Sequence, residues 1–388
     1  MNAFSANLVS GLLKAGVSAE ILLTGVTYRE RKPMPLPQGI PVKHLRLPAI
    51  ATWKKRWQNL VEYLEAQAPC IYLPNHDFNH SCVSSALSSR IGVVGIVHSD
   101  DTQHYDHAMR LGKTWNAAVA VSETIARRCR DSSWLDSERL TTIPYGVPVS
   151  DRPPTHEDAG KLRLVYAGRL EREQKRSGDL IELAATLVQR ELAFTLTIVG
   201  DGPERRAIEQ SIGERGLRSW VTLLPTVSNQ EAIALCARHD VFILPSAYEG
   251  MPVSLLEAMG QGCIPLASEI ASGVPELVIP GMNGLTFSPG DVAALASRVE
   301  ELAESPELRK RLSHEAWLTI AGGDYRVEVM VARYVALFEK VWSEIGSGTF
   351  ARPGNGRVAS LDLPLRERLT APLWGIRPSI RAQQRIPS

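Results

Sequence analysis

Residues 241–262 read VFILPSAYEGMPVSLLEAMGQG, and the rest of the chain is best understood outward from them. Val241, Phe242, Ile243 and Leu244 form an apolar run of the length of a buried parallel strand. Pro245 and Ser246 stop the run, and Pro252 stands where a helix tolerates proline, in its first turn. Gly262 is expected to end that helix. Two carboxylates bracket the turn. Glu249 lies in the loop and Glu257 about one and a half turns into the helix, so both can face one cleft. The backbone around Gly250, Met251, Pro252 and Val253 then forms a partly positive helix start that can receive a phosphate or a sugar oxygen. Carboxylates accept hydrogen bonds from hydroxyls, so the stretch suits a polyhydroxylated ligand. A single exposed glutamate is more often simply solvated, and the neighbouring sequence has to carry the choice.

Upstream, a strand predicted at 163–167 runs into Gly168-Arg169-Leu170 and a charged loop holding Lys175 and Arg176, before a helix over 178–190. Arg169 and Lys175 can set two cations against a diphosphate leaving group. The competing meaning of EREQKR is a charged surface loop. A strand at 194–199 ends in Gly200-Asp201-Gly202-Pro203, a turn whose glycines permit positive φ and close backbone approach. As a phosphate motif it is weak. A helix at 204–213, a strand at 221–224 and a helix at 230–236 lead into the opening stretch. After it come a strand at 264–267, a helix start at 273–278, a short strand at 284–287 and helices over 292–304 and 306–318.

The first part of the chain alternates in the same way. A helix over 3–14 lines up Phe4, Leu8 and Leu12, with a strand at 19–24 after Gly16. Residues 27–47 are rich in proline and basic side chains, with a short strand at 42–47. A helix over 51–67 carries WKKRWQNL. Its Trp53 and Trp57 either lie on an anionic bilayer with the basic residues or turn to the core behind a solvated basic face, and the second reading is preferred. A strand at 70–73, a helix at 81–89, a strand at 92–97, a helix at 102–111, a strand at 117–121 and a short strand at 141–144 follow. Such alternation specifies a parallel sheet covered by helices, with ligands beyond the carboxyl ends of the strands. His98, directly after GVVGIV, occupies such a position, although a histidine there more often packs a turn. His98, His104 and His107 with Asp100 and Asp101, and His76 with Asp77 and His80, have the composition of metal ligands without the tight spacing of a metal site, and no metal is expected. Residues 150–160, SDRPPTHEDAG, are polar and separate the two alternating regions.

A chain of 388 residues accommodates two domains, and an apolar share of 44% leaves material for two cores. The formal charge of +1 gives no global attraction to nucleic acid, so any anion must be met by a local site. The five cysteines, Cys70, Cys82, Cys129, Cys236 and Cys263, are scattered and form no Cys-x-x-Cys pair, which fits reduced thiols. No apolar run reaches the length of a membrane span and the start lacks a secretory signal, so a cytoplasmic protein is expected.

The region from Leu164 to about Leu337 resembles the C-terminal domain of the retaining glycosyltransferases of family 4, on the strength of YAGRL with the later Lys175, IVGDGP, PSAYEGMPVSLLEAMGQGCIPLAS and SGVPELVIPGMNGLTF in that order. The resemblance implies an α/β, GT-B fold of two Rossmann-like domains with parallel sheets facing a cleft. The division expected is an acceptor domain over 1–150, a linker over 151–160, a nucleotide-sugar donor domain over 161–326, a closing helix over 327–345 and a basic, extended or disordered tail over 346–388. It further implies that Gly168, Arg169 and Lys175 hold the donor diphosphate and that Glu257 holds the ribose. Glu249 with the backbone of Gly250, Met251, Pro252 and Val253 then holds the transferred sugar, and His98 meets that sugar from the first domain. A base-contacting segment is expected near 225–227. The activity implied is transfer from a UDP-, GDP- or ADP-sugar to a hydroxyl of a glycan or lipid-linked acceptor, with retention and without a required cofactor or metal. A sugar-nucleotide epimerase of the same fold, or a binding module without activity, are the alternatives. The family begins with a strand and a glycine-rich loop, whereas this sequence opens on the helix. The first domain is therefore expected to lack its first strand, and in-frame sequence upstream of Met1 is expected to encode one. Arginine-rich residues beyond Gly346 suit peripheral contact with anionic membrane; truncation there should abolish vesicle binding if the tail makes that contact, and unchanged binding would reject it.

Overall fold

The computed structural model describes residues 2–24, 39–45, 53–75, 78–132, 135–152 and 160–353. In the first part of the chain α1 (Asn2–Lys14), β1 (Ile21–Leu23), β2 (Val42–His44), α2 (Trp53–Ala66), β3 (Cys70–Tyr72), α3 (Phe78–Ser81), β4 (Ile91–Val97), α4 (Thr102–Leu111), β5 (Ala117–Ala120), α5 (Glu123–Asp131) and β6 (Leu140–Thr142) follow one another. The second part runs β7 (Leu162–Ala167), α6 (Asp179–Gln189), β8 (Phe194–Val199), α7 (Arg205–Glu214), β9 (Val221–Leu224), α8 (Asn229–Cys236), β10 (Val241–Leu244), α9 (Val253–Gly260), β11 (Ile264–Ser268), α10 (Val274–Leu277), β12 (Leu285–Phe287), α11 (Val292–Glu304) and α12 (Pro306–Ala321). The long α13 (Val327–Ser347) then returns to pack on α1, β3 and β4.

Every ladder is parallel, as strands joined through helices require. The six-stranded sheet has the order β12-β11-β10-β7-β8-β9, so the chain lays strands to one side of β7 and then switches to the other at β10. The first part is divided into a four-stranded sheet, β3-β4-β5-β6, and a separate pair, β1-β2. Among the described residues no strand joins the two. β3 is half-buried along its length while β4 and β5 are almost wholly buried.

Several expected elements differ, the strands expected at 19–24 and 42–47 being the shorter β1 and β2. The helix over 81–89 is instead α3 followed by a 3-10 turn over Cys82–Ala86. Serine competes for backbone acceptors here, with Ser84 Oγ donating to the Ser81 carbonyl at 2.6 Å. The strand expected at 141–144 is β6, which starts and ends earlier. Trp57 of α2 packs against the core and Lys54 is exposed, which agrees with the preferred reading for these two residues; the Trp53 side chain lies outside those described. Residues 346–353, assigned to a tail, are ordered: Gly346 and Ser347 finish α13, and Phe350 is buried. Residues 354–388, and with them the rest of that assignment, lie outside the described residues, as do His76 and Asp77.

The two parts touch in several places. Glu276 of α10 accepts from the Glu123 and Thr124 N–H groups at 2.9 and 3.1 Å, placing a carboxylate at the start of α5 where a helix leaves donors unpaired. Ser122 and Ser272 meet at 3.2 Å. The Val147 N–H donates to the Tyr325 carbonyl at 2.9 Å, so the two passages of chain between the sheets run side by side.

Arg352 donates to the carbonyls of Thr114, Leu87, Ser88 and Ile91 and to Asn116 Oδ1, at 2.6 to 3.0 Å. Burial lowers its pKa to about 10, which leaves it cationic at neutral pH. Arg352→Ala is expected to destabilise the protein by about 3 kcal/mol, because several buried acceptors lose their donor at once. A urea-unfolding midpoint unchanged from wild type would refute this.

Candidate active site

In an open parallel sheet the loops on either side of a switch in strand order diverge and leave a crevice. Here the switch lies between β7 and β10, which pair at Leu164↔Val241 and Val165↔Phe242. The loops leaving their carboxyl ends are 168–178 and 245–252. The first is held from beneath by the turn after β8. Gly200 (φ 151°) and Gly202 (φ 157°) sit against the carbonyls of Gly168 and Leu170, where a side chain would overlap them. The GDGP turn is thus a support for the Gly168 loop.

The second loop is tied to the first through Gln174, whose carbonyl accepts from the Ala247 N–H at 2.8 Å. Lys175 and Glu249 then meet as an ion pair, Nζ to Oε1 at 2.5 Å, with side chains 18% and 8% exposed. In so dry a place each charge needs the other or an equivalent partner. Arg169 is 59% exposed and turns to Gln174 Oε1 at 2.7 Å and Glu171 at 3.1 Å. Its carbonyl is fixed by the Tyr166 hydroxyl at 2.8 Å. Pro252 proves to be the N-cap of α9 and not part of its first turn: its ψ of 97° is extended, and the helix begins at Val253. The N–H groups of Val253 and Ser254 still precede any intrahelical acceptor.

Glu257 stands apart from this pair. It is buried on α9 and accepts from Asn229 Nδ2 at 2.7 Å, at the start of α8. Burial raises its pKa to about 7, partly offset by the Asn229 bond. Asn229 carries no motif, although Ser228 before it forms a capping box with Glu231, which marks the helix start.

From the first part of the chain, the backbone of His98 and Ser99 lies directly against Gly250. A β-carbon at Gly250 would overlap the His98 carbonyl and come within 2.7 Å of Ser99 Cα. His98 is itself buried. Its Nδ1 lies 2.5 Å from the Tyr145 hydroxyl and its Nε2 2.6 Å from Asn75 Oδ1. The acids after it serve locally. Asp100 pairs with Arg128 at 2.6 Å and Asp101 caps α4 through the His104 N–H. Among the described residues no group of three or more His, Cys, Asp and Glu side chains is placed to hold a metal ion.

Gly168 and Lys175 thus lie on one loop of the switch crevice and Glu249, Gly250, Met251 and Pro252 on the other, with Val253 at the start of α9 and the His98 backbone against Gly250. Arg169 is on the crevice rim and Glu257 in a neighbouring buried position. Asn75, Tyr145 and Asn229 are polar contributors that sequence reading did not single out.

Residues 150–318 match the family described as Glycosyl transferases group 1. The match spans both crevice loops of the second sheet and α9. The chain is 35% identical over 223 residues to alpha-D-kanosaminyltransferase of Streptomyces kanamyceticus, covering 54% of this chain and 56% of that protein. It is 33% identical over 176 residues to the amylovoran biosynthesis glycosyltransferase AmsK of Erwinia amylovora, covering 44% and 42%. The chain thus spans about half the length of these curated relatives. The crystal structure of Anabaena HepE with UDP and glucose superposes with a TM-score of 0.66 at 19% identity, covering 77% of this chain and 86% of that one. The fold is GT-B, as expected. Among the described residues no helix is long and apolar enough to cross a membrane.

The pKa of Glu257 has a consequence that can be read in the folded protein. A carboxyl whose folded pKa is raised contributes stability that is fully present below its unfolded value of about 4.5 and is lost as pH rises through about 7. Glu257→Gln is expected to abolish a loss on the order of 3 kcal/mol between pH 5 and pH 8. Urea titrations at the two pH values measure it, and parallel losses in wild type and variant would contradict the assignment.

Proposed function

We propose that this protein is a retaining glycosyltransferase that moves a sugar from a nucleoside diphosphate sugar to a hydroxyl acceptor in the synthesis of a cell-surface glycan or glycoconjugate. The Lys175–Glu249 pair at the strand-order switch, beside Gly250 where the His98 backbone rests, carries the reading. A cation and a carboxylate held together in a dry crevice are what a ligand bearing both phosphate and hydroxyls can separate and satisfy. Lys175 and Arg169 take the diphosphate, and Glu249, released from Lys175, accepts from sugar hydroxyls. Gly168 allows the close backbone approach, and the start of α9 after the Pro252 cap adds the N–H groups of Val253 and Ser254, with the Met251 N–H in the loop before it. Glu257, ionised above about pH 7, accepts from the ribose. The nucleotide bound by HepE supports a UDP-sugar as the first donor to test.

In the reaction proposed, the bond from the anomeric carbon to the diphosphate oxygen breaks as the acceptor oxygen approaches on the same face. The acceptor proton passes to the departing phosphate oxygen. Lys175 and Arg169 stabilise the charge that develops there, so no enzyme nucleophile and no metal is required. Glu249 positions the sugar. The acceptor is a glycan or a lipid-linked sugar, a reading supported by the polysaccharide named for AmsK.

A thermal-shift screen with UDP-, GDP- and ADP-sugars identifies the donor, and product analysis with and without an acceptor distinguishes transfer from epimerisation. Lys175→Ala is expected to lower kcat/KM by roughly 100- to 1000-fold, the usual loss of a group that stabilises developing charge. A variant with a near wild-type rate would remove the phosphate assignment.

A further inference from the structure

Both ring nitrogens of His98 are engaged by groups from other elements, and the chemistry of those groups is not symmetric. On one side lies Asn75, in the turn after β3, whose N–H donates to the Leu73 carbonyl at 2.7 Å. Its amide nitrogen donates to Ser5 Oγ of α1 at 2.5 Å, which turns its Oδ1 to His98 Nε2 at 2.6 Å. An amide oxygen only accepts, so Nε2 carries the hydrogen. Nδ1 of the neutral ring is then an acceptor, and it faces the Tyr145 hydroxyl at 2.5 Å. Tyr145 remains a donor, since burial first, and then the nearby Tyr334 and Glu249, raise its pKa well above 10. The ring plane is fixed as well. Phe4 packs edge-on at 5.6 Å and Tyr145 stacks at 5.8 Å with an interplanar angle of 19°.

Resting on the transferase reading above, we propose that Asn75 is a positioning residue which, oriented by Ser5, sets His98 as the Nε2–H tautomer and so makes it a hydrogen-bond donor to the transferred sugar. Ser5, Asn75, His98 and Tyr145 come from α1 and from the ends of β3, β4 and β6, so the order of these strands assembles one directional chain of hydrogen bonds. When the sugar enters, one of its oxygens takes the place of Asn75 Oδ1 on Nε2. Tyr145 still holds Nδ1, and the tautomer is kept. Without Asn75, Nδ1–H donating to the Tyr145 oxygen becomes the competing arrangement. That arrangement presents a bare nitrogen to the sugar.

The test is 15N NMR of histidine-labelled full-length protein without ligand, with His98→Gln used to assign the resonances. Wild type is expected to show His98 as a single Nε2–H tautomer, and Asn75→Ala to show the Nδ1–H form. Asn75→Asp keeps an acceptor in place and is expected to restore Nε2–H. If Asn75→Ala fails to fold, Ser5→Ala, which frees the amide to turn over, is expected to give a mixture. With the donor found by the thermal-shift screen, kcat/KM of Asn75→Ala should fall roughly 5- to 10-fold, as for loss of one neutral hydrogen bond, and Asn75→Asp should recover most of it. An Nδ1–H ring in wild type, or an unchanged spectrum in Asn75→Ala and Ser5→Ala, overturns the proposal. Absence of turnover with every donor would instead count against the transferase reading, and the spectra are independent of it.

Discussion

A lysine and a glutamate 2.5 Å apart, brought from loops 74 residues apart in the chain, are the interaction on which the crevice depends. Neither charge is stable alone at such low exposure, so each loop is held in place by the other's need for a partner. The rest of the second domain can be seen as what makes that meeting possible. The strand-order switch parts the loops, Gly200 and Gly202 let the GDGP turn press up beneath the first, and the Gln174 carbonyl ties the second to it. The pair is also poised. In the proposed reaction the phosphate is what Lys175 turns to and the sugar hydroxyls are what Glu249 turns to, so the resting contact is exchanged for ligand contacts.

The first domain meets that crevice by backbone and not by charge. Gly250 has no side chain where one would strike the His98 carbonyl, and that absence lets a loop of one sheet lie flat on a loop of the other. Glu276 fixes a second contact by supplying its carboxylate to the start of α5. Together these leave His98 beside the loop carrying Glu249, and both charged and neutral polar groups line one surface.

Much of this was legible in the chain. The wholly apolar run of 241–244 packs into a strand buried at every residue, because a parallel strand covered on both faces has no polar side to display, whereas 162–167 and 194–199 keep Arg163, Thr195 and Thr197 at half-buried positions. His98 stands out because it follows such a run directly. Pro252 was placed one residue too far into its helix, since proline suits both the cap and the first turn and only ψ separates them. Asn75, Tyr145 and Asn229 were not found at all. Each acts across the fold, on a partner 23, 47 or 28 residues away, and in sequence each looks like an ordinary turn or helix-start residue. Lys175 and Glu249 are each singled out in the sequence as candidate ligand groups, but their attraction to each other follows only from the geometry of the two loops.

The side-by-side passage of Val147 and Arg326 has a mechanical meaning. Two crossings set far apart would brace the domains like a pair of struts, whereas two crossings in contact act as a single pivot. Gly146 lies against the start of α13, so a rotation of one sheet against the other about that point would displace atoms in proportion to their distance from it. Were the sheets to part about that contact, the crevice mouth bounded by Gly250 and His98 would widen more than the buried core around Val147, Met330 and Tyr334.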